Sequence, residues 1–417
     1  MGKVRELPQA GERGLALDAA IDHGLRAIRN RGWAAELTDL GGAPGAWKCA
    51  LSADGRHLAN GFGKGPGDSA RAGAVFESLE HHVSGPRFVL PETVELRSSH
   101  EVAGGALRGD PGVAVLADTA DDLLACRTYR DLAGARTTSV PVYLSCPDYL
   151  LDDHEELREE LGDGYDYAVV ERYATNSGCA AGSSEAEAVV HALNEAIERD
   201  AWSLLLLRTF LAPGSPAPAV IARDSLPEEL AELAGYAEDR VGKPVTLIEM
   251  TTDLGVPSVM AYSAPEAGVP AHRFGCGASL SRRHAVTRAL NEILQCVATD
   301  EAFGVPEPPL PEHLREYPPF FACGVMDFGE ALTRAHSVRF VDTAAPGGPE
   351  QHLTRLAGIL TGRGYRPWVR ELFRADNGVA VVSVIVAGLE KFMVVTSGNL
   401  VVPGPRGRAA IRLREAG

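Results

Sequence analysis

Several features that would assign this 417-residue chain to a class at once are missing. No stretch approaches the roughly 20 apolar residues of a membrane-spanning helix, and the first residues contain no apolar signal-peptide region. No segment combines dense Lys and Arg with interleaved aromatic residues, and the formal net charge is −16. Such a charge disfavours binding to nucleic acids or to anionic membranes. We therefore expect a cytoplasmic protein that has neither as a partner.

Sequence signatures of several common sites are missing as well. The seven cysteines contain no C-x-x-C pair, which disfavours a zinc site or a disulfide framework and predicts free thiols. Gly63-Lys64-Gly65 is not part of a P-loop, and no G-x-G-x-x-G stands between a strand and a helix. A serine hydrolase has no support because no G-x-S-x-G occurs. Any nucleotide site must belong to another fold.

One arrangement, in contrast, occurs three times: glycines precede an alanine-rich helical stretch with two acid or amide side chains three residues apart. In chain order the glycines and pairs are Gly63 and Gly65 with Glu77 and Glu80, Gly178 and Gly182 with Glu195 and Glu198, and Gly275 and Gly277 with Glu292 and Gln295. Residues i and i+3 share one face of a helix, so each pair presents two oxygen ligands on the same side. The glycines are predicted to form loops whose N–H groups suit an anion. Together these features indicate a nucleotide and Mg²⁺ site.

The glutamates have apolar neighbours, where a charged side chain is costly. Around Glu195 and Glu198, apolar residues cover most of the predicted helix. Burial of an ionised carboxylate costs on the order of several kcal/mol, so a buried cluster must be protonated, paired with arginines or bound to cations. Arg199 and Arg288 could neutralise phosphate oxygens beside Mg²⁺, or could pair with the glutamates in a structural network. The residue types leave both interpretations open.

The pattern outside these segments predicts one interwoven α/β body. A helix is predicted at residues 16–31 and a hairpin at 47–58. Strand pairs are predicted at 245–262 and at 368–386, the second of which includes a buried strand. The recurrence of strand pairs and helical stretches suggests internal duplication.

Two further segments are polar or rich in proline. The acidic stretch at residues 148–166 is predicted to be a solvated face. Prolines between Pro306 and Pro319 predict an extended excursion. We expect residues 1–417 to form a single domain, with the first glutamate pair in 1–86, a variable insertion at 87–170 and the remaining core in 171–417.

The three glycine segments and their acid or amide pairs resemble the motifs of the YcaO-domain family. The resemblance is carried first by residues 176–182 together with Glu195, Glu198 and Arg199. It continues in the segments around the first and third pairs, in residues 386–390 and in residues 402–406, all in the family's order. Ala180 and Ser183 depart from the serine and asparagine that the family often has. The resemblance covers about residues 1–410 and implies an α+β fold of the YcaO type.

The resemblance also implies an activity. Members bind ATP with Mg²⁺ and phosphorylate a backbone amide oxygen of a peptide, after which a nucleophile attacks the activated carbon and phosphate leaves. By matching position, the implied Mg²⁺ ligands are Glu77, Glu80, Glu195, Glu198 and Glu292. The implied nucleotide contacts are Arg13, Ala180, Ser183, Glu187, Arg199, Arg288 and Gln295. No catalytic residue is assigned.

Several outcomes remain open for the substrate, a ribosomally made precursor peptide. Residues 406–417 lack the P-x-P-x-P ending common in azoline-forming members. Members that close amidine rings, or that install thioamides with a TfuA-type partner, often lack it too. We therefore carry three hypotheses: cyclodehydration to an azoline or amidine ring, thioamide formation, and a nucleotide-binding scaffold without turnover. A leader-peptide-binding or TfuA-type partner and a homodimer are also expected.

Overall fold

The computed structural model describes residues 11–212, 214–266, 273–304 and 312–412. The α-helices are α1 Leu17–Asn30, α2 Gly67–Ser84, α3 Ser99–Gly104, α4 Pro111–Ala114, α5 Glu155–Leu161, α6 Glu185–Leu206, α7 Glu228–Val241, α8 Arg282–Phe303, α9 Pro318–Val325, α10 Gly329–Thr333, α11 Pro349–Gly362 and α12 Pro405–Arg412. The strands are β1 Ala34–Gly42, β2 Gly45–Ala53, β3 Arg56–Gly65, β4 Glu95–Ser98, β5 Leu123–Asp131, β6 Thr137–Pro141, β7 Cys179–Gly182, β8 Ala219–Ile221, β9 Thr246–Glu249, β10 Ser258–Tyr262, β11 Phe274–Ala278, β12 His336–Val338, β13 Pro367–Arg374 and β14 Ala380–Val386.

The strands form three sheets. The first sheet has the order β1-β2-β3, the central sheet β4-β5-β13-β14-β7 with β6 paired to β5, and the third sheet β11-β10-β9-β8-β12. Residues 87–170 supply β4, β5 and β6 to the central sheet. Strand β14 pairs with β13 and β7, and every one of its residues is buried, as expected for a strand covered on both faces.

Three strand–helix units repeat within this architecture. In each unit the helix with the acid or amide pair follows an edge strand of a sheet: α2 follows β3, α6 follows β7, and α8 follows β11. Each helix packs on its own strand and also on the strand of another unit, α2 on β7, α6 on β11 and α8 on β3. The three units therefore close into a ring, and the repetition predicted from the sequence is present as a structural repeat.

The glycines of these units lie mainly in strands, so the prediction that they form loops is wrong. Gly63 and Gly65 belong to β3, and Gly275 and Gly277 belong to β11. A Cβ atom on Gly63 would stand 1.7 Å from the carbonyl oxygen of Ala70 in α2, and one on Gly277 2.2 Å from that of Ala285 in α8. The glycines are needed because the helix backbone lies directly on the strand.

Most other local predictions are confirmed. The helix predicted at 16–31 is α1, and the hairpin consists of β2 and β3 joined at Asp54 and Gly55, both with positive φ. The two predicted strand pairs are β9 with β10 and β13 with β14. The seven cysteines are free.

Two predictions need qualification. The acidic stretch is largely exposed, but Asp163 is buried and accepts hydrogen bonds from the hydroxyls of Tyr149 and Tyr167, each at 2.6 Å. The prolines at 306, 308, 309 and 311 lie outside the described residues, whereas Pro318 and Pro319 begin α9. No helix within the described ranges has both the length and the apolar character required for crossing a membrane.

Candidate functional site

A cavity of about 890 Å³ lies inside the ring of three units. Its wall contains the cavity-facing side chains of α2, α6 and α8, the end of β3 and the segment that leads into α1. The site residues predicted from the sequence that line it are Arg13, Glu77, Glu80, Glu187, Glu195, Glu198, Arg199, Arg288, Glu292 and Gln295. The structure thus brings together residues that lie far apart in the chain.

Two predicted nucleotide contacts lie outside this wall. Ala180 is fully buried in β7 and packs in the apolar cluster that contains Val189 and Val382. Ser183 contributes indirectly, because its hydroxyl donates a hydrogen bond of 2.6 Å to the Glu187 carboxylate. Ser183 therefore supports the Glu187 carboxylate, and Ala180 contributes to apolar packing.

The glutamate pair of α2 has few cations nearby. Glu80 accepts a backbone hydrogen bond from Ala181, and no Lys or Arg of the described chain lies within ion-pair distance of it. Burial, followed by the charges of Glu195 and Glu77, raises the pKa of Glu80 well above its ordinary value. Burial likewise raises the pKa of Glu77, whose Oε2 accepts the Phe62 N–H at 2.6 Å.

The pair on α6 lies beside two arginines at longer than hydrogen-bond distances. Arg199 is 3.6 Å from Glu195 and 3.7 Å from Glu198, and Arg288 approaches Glu198 at 3.9 Å. Burial raises the pKa of Glu195, although Arg199 opposes the shift. Glu198 is only 2% exposed, and its Oε2 has no hydrogen-bond partner. A buried carboxylate oxygen without a donor is a position where a cation would be favoured.

On α8, Glu292 forms an ion pair with Lys64 of β3. Burial alone would raise the pKa of Glu292, but the charges of Lys64, Arg199 and Arg288 hold it below its ordinary value. Gln295, one turn further along the helix, donates a hydrogen bond of 2.7 Å to the Phe62 carbonyl. Its side chain therefore fixes β3 against α8 at the edge of the cavity.

The opposite side of the cavity is organised around Glu187, near the start of α6. Its carboxylate accepts hydrogen bonds from Arg13 at 2.9 Å and from the Gly14 N–H at 3.1 Å. These donors and Ser183 outweigh the effect of burial and lower the pKa of Glu187. The contacts hold the segment before α1 against the cavity wall.

The charges that line the cavity do not balance. The acidic residues are Asp18, Asp68, Glu77, Glu80, Glu187, Glu195, Glu198 and Glu292, and the Lys and Arg residues are Arg13, Lys64, Arg199 and Arg288. Burial and Arg288 lower the pKa of His191 well below its ordinary value, which favours its neutral form. In the described part of the chain, no three His, Cys, Asp or Glu side chains are already arranged around one metal position. The glutamates thus line a cavity with excess negative charge.

This donor set fits Mg²⁺ and a polyphosphate. Mg²⁺ prefers carboxylate oxygens and shares its shell with phosphate oxygens, and the unpartnered Glu198 Oε2 and the cation-poor Glu80 provide such ligands. The Nε atoms of Arg199 and Arg288 are buried and have no hydrogen-bond partner, so both guanidinium groups retain donors for an anion.

The sequence interpretation assigned no role to Lys64, His191, His284 or Asn291, which also line the cavity. The sequence contained a pattern that could have identified Asn291. An asparagine directly precedes the first glutamate of the pair in both the second and the third unit. Asn291 is 8% exposed, and its Oδ1 has no hydrogen-bond partner. Lys64 could be placed only once the ring had brought β3 against α8.

Comparison with known proteins gives concordant results. A family model described as YcaO cyclodehydratase, ATP- and Mg²⁺-binding, matches residues 62–390. A protein described as an uncharacterized protein in the tfuA 3′ region of Rhizobium leguminosarum bv. trifolii is 31% identical over 130 residues. That match covers 29% of this chain and 30% of the relative, so the chain spans less than a third of that curated protein's length.

Two solved structures share the fold. YcaO from Methanopyrus kandleri bound with AMPPCP and Mg²⁺ has a TM-score of 0.64 and 20% identity, and the match covers 95% of this chain and 97% of that one. A heterocyclase in complex with substrate and cofactor has a TM-score of 0.62 and 17% identity, over 93% of this chain and 55% of that one. At these identities the likeness concerns the α+β fold.

Proposed function

Because the chain belongs to the YcaO family, whose model is described as binding ATP and Mg²⁺, we propose that it activates a backbone amide in a ribosomally made precursor peptide. The proposed outcome is cyclodehydration, in which a Cys, Ser or Thr side chain gives an azoline or an amine gives an amidine. The family description as a cyclodehydratase supports this choice.

The observation that carries the proposal is the convergence of glutamates from α2, α6 and α8 on one cavity with too few cations to neutralise them. A structural ion network would pair each buried carboxylate with a donor. Here Glu198 Oε2 has no donor and Glu80 has no cation in the described chain, so the arrangement favours a site that is completed by bound cations.

We assign the metal-holding role to Glu77, Glu80, Glu195, Glu198 and Glu292. Arg199 and Arg288 line the same cavity as these glutamates and would orient phosphate oxygens through their free N–H groups. Arg13, anchored on Glu187, would contribute a third positive charge at the other side. Leu15, Ala16 and Phe76 also line the cavity and would offer apolar contacts to the nucleoside.

The proposed chemistry balances without an oxidant or reductant. Bound ATP with Mg²⁺ supplies a phosphoryl group that turns the amide oxygen into a leaving group. Transfer of that group to the amide oxygen would release ADP. The peptide nucleophile would then form a bond to the amide carbon, the former amide oxygen would depart with phosphate, and two protons, one from the nucleophile and one from the nitrogen that forms the C=N bond, would complete the loss of water. The role of the chain is to hold the phosphates and the amide in line, since positioning and charge neutralisation dominate phosphoryl transfer.

Phosphate release in the presence and absence of a candidate precursor peptide tests this proposal. We expect peptide-dependent release by the wild-type protein and at least about a hundredfold less by Glu198→Gln, since one lost metal ligand typically costs several kcal/mol of charge stabilisation. The matched control is Glu185→Gln at the start of the same helix, where Glu185 pairs with Arg130 and Arg374 away from the cavity. Glu185→Gln should retain wild-type turnover.

Two results would contradict the proposal. Nucleotide binding without any peptide-dependent phosphate release would favour the scaffold hypothesis. Unchanged nucleotide affinity in Glu198→Gln would instead favour a structural ion network, because that change would then not touch the nucleotide site.

Thioamide formation is the second candidate, supported by the relative that is named for its position in the tfuA 3′ region. In that case a TfuA-type partner and a sulfide source would be required, and sulfur would replace the amide oxygen. Mass spectrometry of the peptide distinguishes the two outcomes, because loss of water lowers its mass whereas oxygen-to-sulfur exchange raises it. Dependence of modification on the added partner would support the second candidate.

A further inference from the structure

We propose that Lys64 and a divalent cation compete for Glu292, and that the Lys64 ammonium moves from this carboxylate to a phosphate oxygen when the cation binds. The inference rests on the proposed function, because it takes Glu292 to be a metal ligand. It assigns Lys64 a positioning role in coupling metal binding to nucleotide binding.

The first observation is the position of the ion pair. Lys64 lies near the end of β3 in the first unit and donates a hydrogen bond to Oε2 of Glu292 on α8 in the third unit. Both side chains line the cavity, with 27% and 22% of their surfaces exposed. The pair is therefore accessible to a cation that enters the cavity and does not belong to the packed interior.

The second observation is that another carboxylate, that of Glu77, lines the same cavity as the Lys64–Glu292 pair. Glu77, on α2, is close enough to both Lys64 and Glu292 for their charges to affect its own ionisation in opposite directions. One oxygen of Glu77 accepts the Phe62 N–H, and the other is 3.8 Å from His81. The Lys64–Glu292 pair thus shares its cavity with a further carboxylate, and carboxylate oxygens are the ligands that a divalent cation such as Mg²⁺ prefers.

The third observation is the type of cation. The other Lys or Arg residues of the cavity wall are arginines, whose planar guanidinium groups reach their carboxylates from fixed directions. Lys64 is the single lysine among the lining residues, and its ammonium is a compact charge on a flexible stem. Such a group can leave a carboxylate and turn towards another anion within the same cavity at little conformational cost.

The proposal gives opposite signs for two binding measurements. Lys64→Met removes the competitor, so calorimetric titration of the metal-free protein with Mg²⁺ should show binding about tenfold tighter than in the wild type. The same change removes a positive charge near the phosphates, so titration with AMPPCP at saturating Mg²⁺ should show binding about tenfold weaker. A lysine with a merely structural role would not produce this reversal.

Two variants control the experiment. Lys64→Arg keeps the charge and should leave the Mg²⁺ affinity within about threefold of the wild type. Lys48→Met makes the same substitution on the neighbouring strand, where Lys48 lies 5.6 Å from the Phe303 ring and outside the cavity wall, and should alter neither titration.

The possible failures are distinguishable. Wild-type protein that binds neither Mg²⁺ nor AMPPCP would overturn the proposed function and this inference with it. Wild-type protein that binds both, together with Lys64→Met that weakens Mg²⁺ binding or leaves it unchanged, would overturn the competition alone. Circular dichroism on the same samples identifies a misfolded Lys64→Met, and Lys64→Gln then provides the same charge removal for the titrations.

Discussion

Helices α2 and α6 carry the same pair of glutamates three residues apart, but the two pairs have different surroundings. On α6, Arg199 lies within 3.7 Å of both glutamates. On α2 the corresponding position is His81, which approaches Glu77 at 3.8 Å, and Glu80 has no Lys or Arg partner in the described chain. The two motifs are thus identical in sequence but differ in compensation: α6 has an arginine partner within the protein, whereas the α2 pair lacks one, which fits the proposal that bound cations neutralise it.

The support beneath the two helices differs as well. Helix α2 lies on a strand with glycine at two successive inward positions, Gly61 and Gly63, whereas the strand below α6 has Ala180 followed only by Gly182. Helix α2 therefore lies close to its strand, although the Glu77 side chain is 34% exposed and that of Glu198 on α6 only 3%. The backbone of the first unit is therefore less tolerant of added volume than that of the second.

The largest expected effect tests this close approach. Gly63→Ala places a methyl group 1.7 Å from the Ala70 carbonyl oxygen, which cannot rotate away, so we expect a loss of at least about 4 kcal/mol in the free energy of unfolding. Urea-induced unfolding followed by circular dichroism measures it. Gly358→Ala is the control, because its added methyl meets no atom within 4 Å on α11 and should raise stability by about 0.5 kcal/mol. A loss below about 1 kcal/mol for Gly63→Ala would show that helix α2 can move away from strand β3.

The second prediction concerns Arg199, which follows the glutamate pair on α6 at the position that His81 occupies on α2. Arg199→Met leaves two buried glutamates without their nearest cation and should cost about 3 kcal/mol in the free energy of unfolding of metal-free protein. Arg199→Lys retains the charge and should lose less than half as much. The measurement is urea unfolding in the presence of EDTA. Equal stability of Arg199→Met and wild type would mean that the α6 pair is not compensated by the protein.

Removal of the metal is the third test. At about one hundred times its Kd, Mg²⁺ should stabilise the protein by about 2.7 kcal/mol, which for a chain of this size corresponds to a melting temperature about 3 °C higher. Differential scanning fluorimetry with Mg²⁺ and with EDTA measures the difference. We expect Glu80→Gln to halve the Mg²⁺-dependent gain. An equal gain in that variant would place Glu80 outside the metal site.

The smallest expected effect includes a gain in the stability of the metal-free protein, whereas the first two substitutions reduce stability. Glu80→Gln removes a buried charge that Glu77 and Glu195 repel, so metal-free protein should become about 1 kcal/mol more stable. Glu198→Gln, between Arg199 and Arg288, should instead lose about 1 kcal/mol. Both are measured by urea unfolding in EDTA. Shifts of the same sign would remove the distinction between the two helices.

The local elements of this fold could be predicted from the sequence because their signals are local. The alternating and helical patterns identified α1, the hairpin of β2 and β3, and the strand pairs. The spacing of Glu77 with Glu80 and of Glu195 with Glu198 placed each pair on one helix face, and the apolar neighbours indicated an interior position. The convergence of the glutamates followed from these features together with the family resemblance.

The remaining features depend on contacts between distant segments. Strand β14 pairs with β7 although about two hundred residues separate them, and no periodicity specifies that partner. The glycines of β3 and β11 were assigned to loops because glycine is common in turns, whereas close helix packing is a tertiary property. Asp163 could not be separated from its exposed acidic neighbours, since Tyr149 and Tyr167 become its donors only in the folded chain.

The closed order of packing, in which α2 contacts β7, α6 contacts β11 and α8 contacts β3, has a consequence during synthesis. The cavity wall runs from Arg13 to Gln295, and the last helix completes it by returning to the first hairpin. A nascent chain therefore cannot acquire affinity for its nucleotide until α8 has emerged from the ribosome. The ligand can therefore stabilise only a chain that has already assembled the ring.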